Sequence, residues 1–524
     1  MKPAEIKSKN IFAHFASLRS EASELREIKT NSQSKINQMK INPFLLTDFY
    51  KVGHPFQYPE KTSLVYSNLT ARKSRLEDVN EMVFFGLQYF LKEYLVDYFN
   101  ESFFQQPKEK VIADYKRRIN AALGGDLPTY SHLEQLHDIG YLPVEIKALP
   151  EGSKVPMRVP CLTVVNTLPE FYWLTNFLES LLSAIIWQPC TSATIAHQYR
   201  KILDKYAAET GMPLEFVQWQ GHDFSFRGMS SLESAILSGM GHLLSFTGTD
   251  TIPAIDALEQ YYHANSDKEL IGGSVPATEH SVMCSGAKDG ELETFKRLIT
   301  QVYPNGIVSI VSDTWDLWKV CTEYLPLLKQ DVLARDGKVV IRPDSGDPVL
   351  IICGNPDAKS EAERKGVVEL LWEVFGGTTT AQGYKLLDSH IGAIYGDSIN
   401  VERATRICEN LKTKGFASQV VFGIGSYTYQ YNTRDTFGMA MKATYVEIDG
   451  EAREIFKNPI TDDGTKVSAT GLLCVKRENG KYVLQDKVSW QKEKESELKT
   501  VFLNGKITKE FSLQEIRDNL NVII

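Results

Sequence analysis

Along the first 165 residues the spacing of apolar positions changes repeatedly. Short runs at 63–67 and 144–148 predict strands, while 3.6-residue spacing over 85–98 and 108–122 predicts helices, an α+β mixture from about Asn42 to Val165. The stretch 168–206 reads as two apolar helices, the second entered after Thr191 and Ser192, whose hydroxyls are competent caps. From about residue 214 the pattern becomes regular. IVSIVSD (307–313), VVIRPD (339–344) and IGAIYGD (391–397) are each followed by an amphipathic helical stretch, and VVFGIGS (420–426) is a fourth run of the same kind.

Strands that are apolar throughout and alternate with helices are what a parallel sheet covered on both faces requires. Their C-terminal ends share one rim, which collects Asp313, Arg342, Asp344, Asp397 and Gly425 as in a β/α barrel, although a doubly wound open sheet has the same periodicity. After residue 440 strands and turns return, at 443–448, 471–476 and 481–484. The expected architecture is therefore α/β: an irregular β/α barrel over 167–439 and an α+β domain built from both chain ends, 39–166 and 440–524. Residues 1–38, rich in Lys, Glu, Ser and Asn, read as an N-terminal extension without a catalytic part.

At 524 residues the chain exceeds the size at which single cores stop growing, in keeping with two packed units. A net charge of -8 excludes a general nucleic-acid binder, so any phosphate site must be local. Seven scattered cysteines without a C-x-x-C pair point to a reducing compartment. The N-terminus lacks a secretory apolar stretch, and the most apolar region, 172–187, is interrupted by Asn176 and Glu179. These features predict a cytoplasmic protein that does not enter membranes.

Several short motifs carry chemistry. HDFSFRG (222–228) offers Phe224 for stacking on a flat ring and Arg227 as a cation; taken alone it reads better as a core Phe with Arg227 in a surface pair. GTD (248–250) presents Asp250, which a helix N-cap would also explain. SVPATEH (274–280) runs from Ser274 to Glu279 and His280, the side chain most suited to acid, base or phosphoryl-accepting chemistry. RPDSGDP (342–348) contains turn formers, but turn chemistry leaves Arg342 unexplained inside an apolar run. GDS (396–398) and GIGS (423–426) could present backbone N–H groups to a phosphate.

In this order HDFSFRG, GTDT, SVPATEH, VSDTWD, IRPDSGDP, GYKLL, YGD and TRD resemble the nicotinamide phosphoribosyltransferase family, as does LLTDFYKVGHPFQYP near the start. The resemblance extends from about residue 42 to residue 516. It implies a type II phosphoribosyltransferase fold, and a homodimer with shared active sites that joins nicotinamide to phosphoribosyl pyrophosphate. It implies a pyridine ring held between Phe224 and the partner's Tyr50, with Asp250 as acceptor for the ring amide, Ser274 at the base, and Arg227 and Arg342 near base and ribose. Asp344 matches the acid at the ribose, and Asp313 and Glu279 match groups that hold His280, the residue phosphorylated by ATP. Gly396, Asp397, Gly425, Ser426 and Arg434 match positions around the 5'-phosphate, and Arg72, Lys442, Lys457 and Lys466 a basic cluster for pyrophosphate or ATP.

Magnesium is expected to bind through pyrophosphate oxygens, with no metal cage of protein ligands, and ATP to act as co-substrate. The chain departs from the family's glycine run at Ser426, a residue that resists positive φ. The rivals are a nicotinate phosphoribosyltransferase and a catalytically silent binding protein on the same scaffold. Asp250 argues against the first: two carboxylates about 3 to 4 Å apart repel by roughly 4 kcal/mol at an effective dielectric near 20. Retention of His280, Asp313, Arg342 and Asp344 together argues against the second.

Overall fold

The computed structural model describes residues 41–457, 460–461 and 468–522, so the N-terminal extension and Lys466 lie outside the described residues. Six parallel strands form the barrel sheet, in the spatial order Gly248–Thr249, Gly221–Asp223, Val420–Ile424, Ile391–Tyr395, Asp336–Arg342 and Asn305–Val311. The strands end at or within two residues of Asp313, Arg342, Asp344, Asp397 and Gly425, which therefore share the expected rim.

The periodicity left barrel and open sheet undecided, and the backbone of 273–278 decides between them. At one edge Thr249 N–H donates to Gly273 C=O (2.9 Å) and Gly273 N–H to Thr247 C=O (2.7 Å). At the other, Ser309 N–H donates to Pro276 C=O (2.9 Å) and Thr278 N–H to Ser309 C=O (3.0 Å). This short piece bonds to both outer strands and closes an irregular ring. Pro276 has no N–H to offer, so a regular strand could not form there.

A second, seven-stranded sheet is antiparallel and combines both ends of the chain. Thr62–Thr70 lies between Ala440–Ile448 and Pro160–Asn166, followed outward by Val144–Ala148 and Lys499–Leu503. Side chains satisfy the polar backbone between distant strands: Asn68 Nδ2 donates to Lys442 C=O at 3.2 Å.

The stretch 168–206 departs from the expected pair of helices divided at Thr191. A short Leu174–Phe177 helix is followed by one 32-residue helix, Glu179–Thr210, which runs through Pro189. Thr191 and Ser192 are interior rather than caps. The Thr191 hydroxyl donates to the carbonyl four residues back, Trp187 (2.7 Å), and Ser192 pairs with Ser238 at 3.0 Å. The Pro189 ring seats against Gly86, where a Cβ would stand 2.5 Å from it. Twenty residues of this helix are buried, so tertiary packing overrides the local helix-breaking signal. Its first half joins the core of the antiparallel sheet and its second half the core of the barrel. All seven cysteines are free, and no helix among the described residues is long and apolar enough to cross a membrane.

Candidate active site

Successive side chains of a strand point to opposite faces, and this alternation defines what the barrel encloses. His222 and Phe224, Ile307 and Ser309, Lys338 and Val340, and Gly392 and Ile394 line a bore of about 280 Å³, joined by Ser274. Their neighbours Val308, Ile310, Val339 and Ile341 are buried in the surrounding core. Phe224 stands where the bore meets the rim. Its ring lies on bare backbone, because a Cβ on Gly423 would be 2.8 Å from it, and the Arg342 guanidinium sits 5.6 Å from its centroid. His222 packs beside it at 4.6 Å.

Asp250 follows the two-residue edge strand, and its N–H donates to Asp223 C=O at 2.9 Å. It does not cap the next helix, Ile252–Tyr262, whose cap position is Thr251. Instead Asp250 Oδ1 accepts from His222 Nε2 (2.8 Å) and from the Ser274 hydroxyl (2.6 Å). Burial would raise the Asp250 pKa, but these two donors outweigh it and hold the carboxyl below its ordinary range. Both protein donors fall on Oδ1, which leaves Oδ2 to a ligand. His222 was not singled out from the sequence, yet its position two residues before Phe224 puts both on one strand face.

A second group surrounds His280, half exposed at the start of the His280–Ser285 helix. Its Nδ1 contacts the Thr314 hydroxyl at 3.2 Å, and Nε2 stands 3.9 Å from Asp313 Oδ1 and 3.8 Å from Asp344 Oδ2. Asp313 Oδ2 accepts from the N–H groups of Asp344 (2.8 Å) and Ser345 (2.7 Å), which fixes the turn after Arg342. Burial raises the Asp344 carboxyl above its usual range, against Arg342, whose guanidinium is 3.4 Å away. Asp313 Oδ1, Asp344 Oδ1 and Arg342 Nε are buried without a hydrogen-bond partner. The Glu279 carboxylate accepts from the Ser281 hydroxyl beside it.

Two loops meet next to this group. A Cβ on Gly396 would lie 1.8 Å from Asp344 Oδ1, so the backbone approaches the carboxylate as closely as glycine allows. A Cβ on Gly425 would lie 3.9 Å from Asp397 Oδ1, which brings the loops after Tyr395 and Ile424 face to face. Gly425 has φ −90° and Ser426 opens the Ser426–Tyr429 turn in right-handed conformation, so the backbone demands no glycine at 426. Arg227 is exposed on the Phe226–Gly228 turn, and Arg434, half exposed, lies 3.5 Å from Asp435.

The remaining cations belong to the antiparallel sheet unit. Lys442 is paired opposite Asn68, and Arg72 Nε donates to Gly438 C=O at 2.8 Å. Burial, opposed by Glu179 and reinforced by Arg72, Lys457 and Lys51, holds the Lys442 ammonium below its ordinary range. Arg72, Lys442 and Lys457 thus form one cationic cluster. Tyr50 is 65% exposed and packs against His54 (6.4 Å) and the Lys51 ammonium (5.1 Å).

Comparison with known proteins gives this geometry a family. The model of the nicotinate phosphoribosyltransferase (NAPRTase) family matches residues 219–506, and that of the nicotinamide phosphoribosyltransferase N-terminal domain matches residues 42–146. The nicotinamide phosphoribosyltransferase of Acinetobacter baylyi is 55% identical over 494 residues, covering 92% of this chain and 97% of that protein. The chain belongs to the nicotinamide phosphoribosyltransferase family. A second family member, from Mycoplasma pneumoniae, is 36% identical over 463 residues, 84% of this chain and 96% of that one. In fold, the crystal structure of nicotinate-nucleotide pyrophosphorylase from Pyrococcus furiosus matches with a TM-score of 0.56 at 15% identity, over 93% of this chain and 98% of that one. The family match from 219 to 506 takes in the Phe224 pocket, the His280 cluster and both facing loops.

Proposed function

We propose that the chain transfers the ribose 5-phosphate of phosphoribosyl pyrophosphate to nicotinamide, releasing pyrophosphate, in salvage of the pyridine ring for NAD. The observation that carries this reading is Asp250, an ionised carboxylate held by His222, which itself packs beside Phe224, with one oxygen left for a ligand N–H. A carboxamide supplies that N–H, whereas a carboxylate would meet repulsion. The pyridine nitrogen attacks the anomeric carbon with its own lone pair as the bond to pyrophosphate breaks, so the ring becomes a pyridinium and no base is needed. Positive character grows on the ribose, and Arg342 and Asp344 orient it there, with Asp344 compensating the charge. Gly396, Asp397, Gly425 and Ser426 provide the backbone and polar groups for the 5'-phosphate.

ATP is the second co-substrate in this reading. His280 Nε2 attacks the terminal phosphorus and ADP leaves, while Thr314 fixes Nδ1 and the two nearby aspartates offset the positive charge that builds on the ring. Glu279 stands next to it in sequence. The unpartnered oxygens of Asp313 and Asp344 fit a magnesium ion carried in on phosphate oxygens, and no group of three or more His, Cys, Asp or Glu among the described residues forms a metal cage. Magnesium would neutralise charge on the leaving group.

The active form is proposed to be a homodimer in which the partner's exposed Tyr50 covers the open face of the base bound on Phe224. Arg434 would join the groups around the 5'-phosphate, the basic cluster of Arg72, Lys442 and Lys457, with Lys466, would serve pyrophosphate or ATP phosphates, and the setting would be cytoplasmic. A substrate panel tests the proposal: pyrophosphate release with nicotinamide, stimulated by ATP and at least tenfold slower with nicotinate. Preference for nicotinate would favour the acid-specific rival, and no release with either base would leave a binding protein.

A further inference from the structure

Between the base pocket and the facing phosphate loops lies a buried polar chain that the chemistry above does not use. His242 ends the Leu232–His242 helix and is fully buried. Its Nε2 is 3.0 Å from Gly248 C=O, two residues before Asp250, and its Nδ1 is 2.7 Å from the Tyr429 hydroxyl, in the turn that follows Gly425. A carbonyl only accepts, so Nε2 carries the proton, and the neutral ring accepts from Tyr429 at Nδ1. Burial favours that neutral form. Next to Tyr429, the Thr428 hydroxyl donates to Ile399 C=O (2.8 Å), in the loop that carries Asp397. One buried chain thus joins the base-recognition strand to both phosphate loops.

We infer that His242 is a positioning residue that couples recognition of the base to anchoring of the 5'-phosphate. The inference rests on the proposed function and adds a link between its two binding events. The elements concerned are too short to be rigid alone: Gly248–Thr249 is a two-residue strand and Ser426–Tyr429 a four-residue helix. A phosphate that orders the loops fixes the Tyr429 hydroxyl, and through His242 it fixes the carbonyl of Gly248 and the direction of Asp250. Nicotinamide then binds a site whose ordering cost has already been met, which is positive cooperativity without a large movement.

The test measures nicotinamide affinity by calorimetry with and without ribose 5-phosphate, which carries the anchor but no leaving group. For the unaltered protein the affinity should rise about tenfold with the sugar phosphate present, within the ordinary range of coupling. Tyr429→Phe keeps the ring and removes only the hydroxyl; the enhancement should fall to about twofold or less, as loss of one buried hydrogen bond allows. His242→Gln, which keeps a donor for Gly248 and releases Tyr429, should give the same loss, and serves alone if the first variant does not fold. The double variant should lose no more than either single one.

A role confined to packing would lower the melting temperature of these variants and leave the enhancement intact, and that result overturns the inference. So does an unaltered protein that binds nicotinamide equally with and without the sugar phosphate. Failure of the unaltered protein to bind nicotinamide at all would instead overturn the proposed function.

Discussion

Asp250 shows how far a single residue can be read from sequence. Its position before a helix suits an N-cap, and three letters do not reveal that the following Thr251 takes the cap position instead. The deciding partners, His222 and Ser274, are 28 and 24 residues away. Asp250→Asn keeps the shape and removes the charge. We expect nicotinamide use to fall at least tenfold and discrimination against nicotinate to shrink by a similar factor, since roughly 1.4 kcal/mol corresponds to tenfold. The ratio of kcat/KM for the two bases is the measurement, and an unchanged ratio removes Asp250 from base selection. His222 was legible in principle through its two-residue offset from Phe224, but the hydrogen bond that gives it a role is tertiary.

At the level of elements, strand periods foretold four of the six barrel strands, because a fully covered parallel strand must be apolar whatever its neighbours; Gly221–Asp223 and Gly248–Thr249 are too short to show a period. Val144–Ala148 has the predicted limits, and Ile391–Tyr395 is buried throughout. Two larger features also escaped. The helix through Pro189 depends on a groove provided by Gly86, about a hundred positions earlier, and the closing piece 273–278 has no strand pattern because its role is fulfilled by a few backbone bonds. Glycines inside strands are a subtler signal. Gly423 has an ordinary φ, so its importance is steric: an added methyl would meet the Phe224 ring and the Tyr395 carbonyl, both at 2.8 Å. Gly423→Ala should destabilise the fold by about 1–3 kcal/mol and raise KM for the base, and the midpoint of urea unfolding measured beside KM will show whether both move.

For the molecule as a whole, the most direct test of a shared site is complementation. Tyr50→Ala removes an exposed side chain, so folding should survive, and the His280→Ala chain is defective at a different position. Mixed at equal amounts, the two give about half heterodimers, each with one intact site if Tyr50 acts across the interface, and about a quarter of full activity should return. Verified heterodimers that stay inactive would place Tyr50 in its own subunit.

Stability should also respond to acid. Burial pushes His54 and His132 down to about 4 and His197 to about 3, assisted at His54 by Lys51 and at His197 by Lys201, Lys154 and Arg200. Each has a buried Nδ1 without a partner, so a proton there has nothing to bind. The unfolded chain takes up protons near pH 6.5 and the folded one does not. The contribution of these neutral rings is therefore complete above that pH and is lost as pH falls towards 4, by about 1.4 kcal/mol per pH unit for each ring. Urea unfolding from pH 7 to 5 measures it. His197→Gln should make the slope below pH 6.5 shallower by about 1.4 kcal/mol per pH unit, and an unchanged slope would mean that His197 is protonated in the fold.

The antiparallel sheet, with the early strand Thr62–Thr70 between Pro160–Asn166 and Ala440–Ile448, has a consequence for how the protein is born. One edge of that strand finds its partner within about a hundred residues of synthesis. The other waits for a segment 374 positions later, which at about 5–20 residues per second emerges some 20–75 s afterwards. Throughout that interval the nascent chain presents an open strand edge, with unpaired backbone N–H and C=O groups at which it can pair with other chains, and the ribosome-bound intermediate, more than the finished enzyme, is where chaperones are needed.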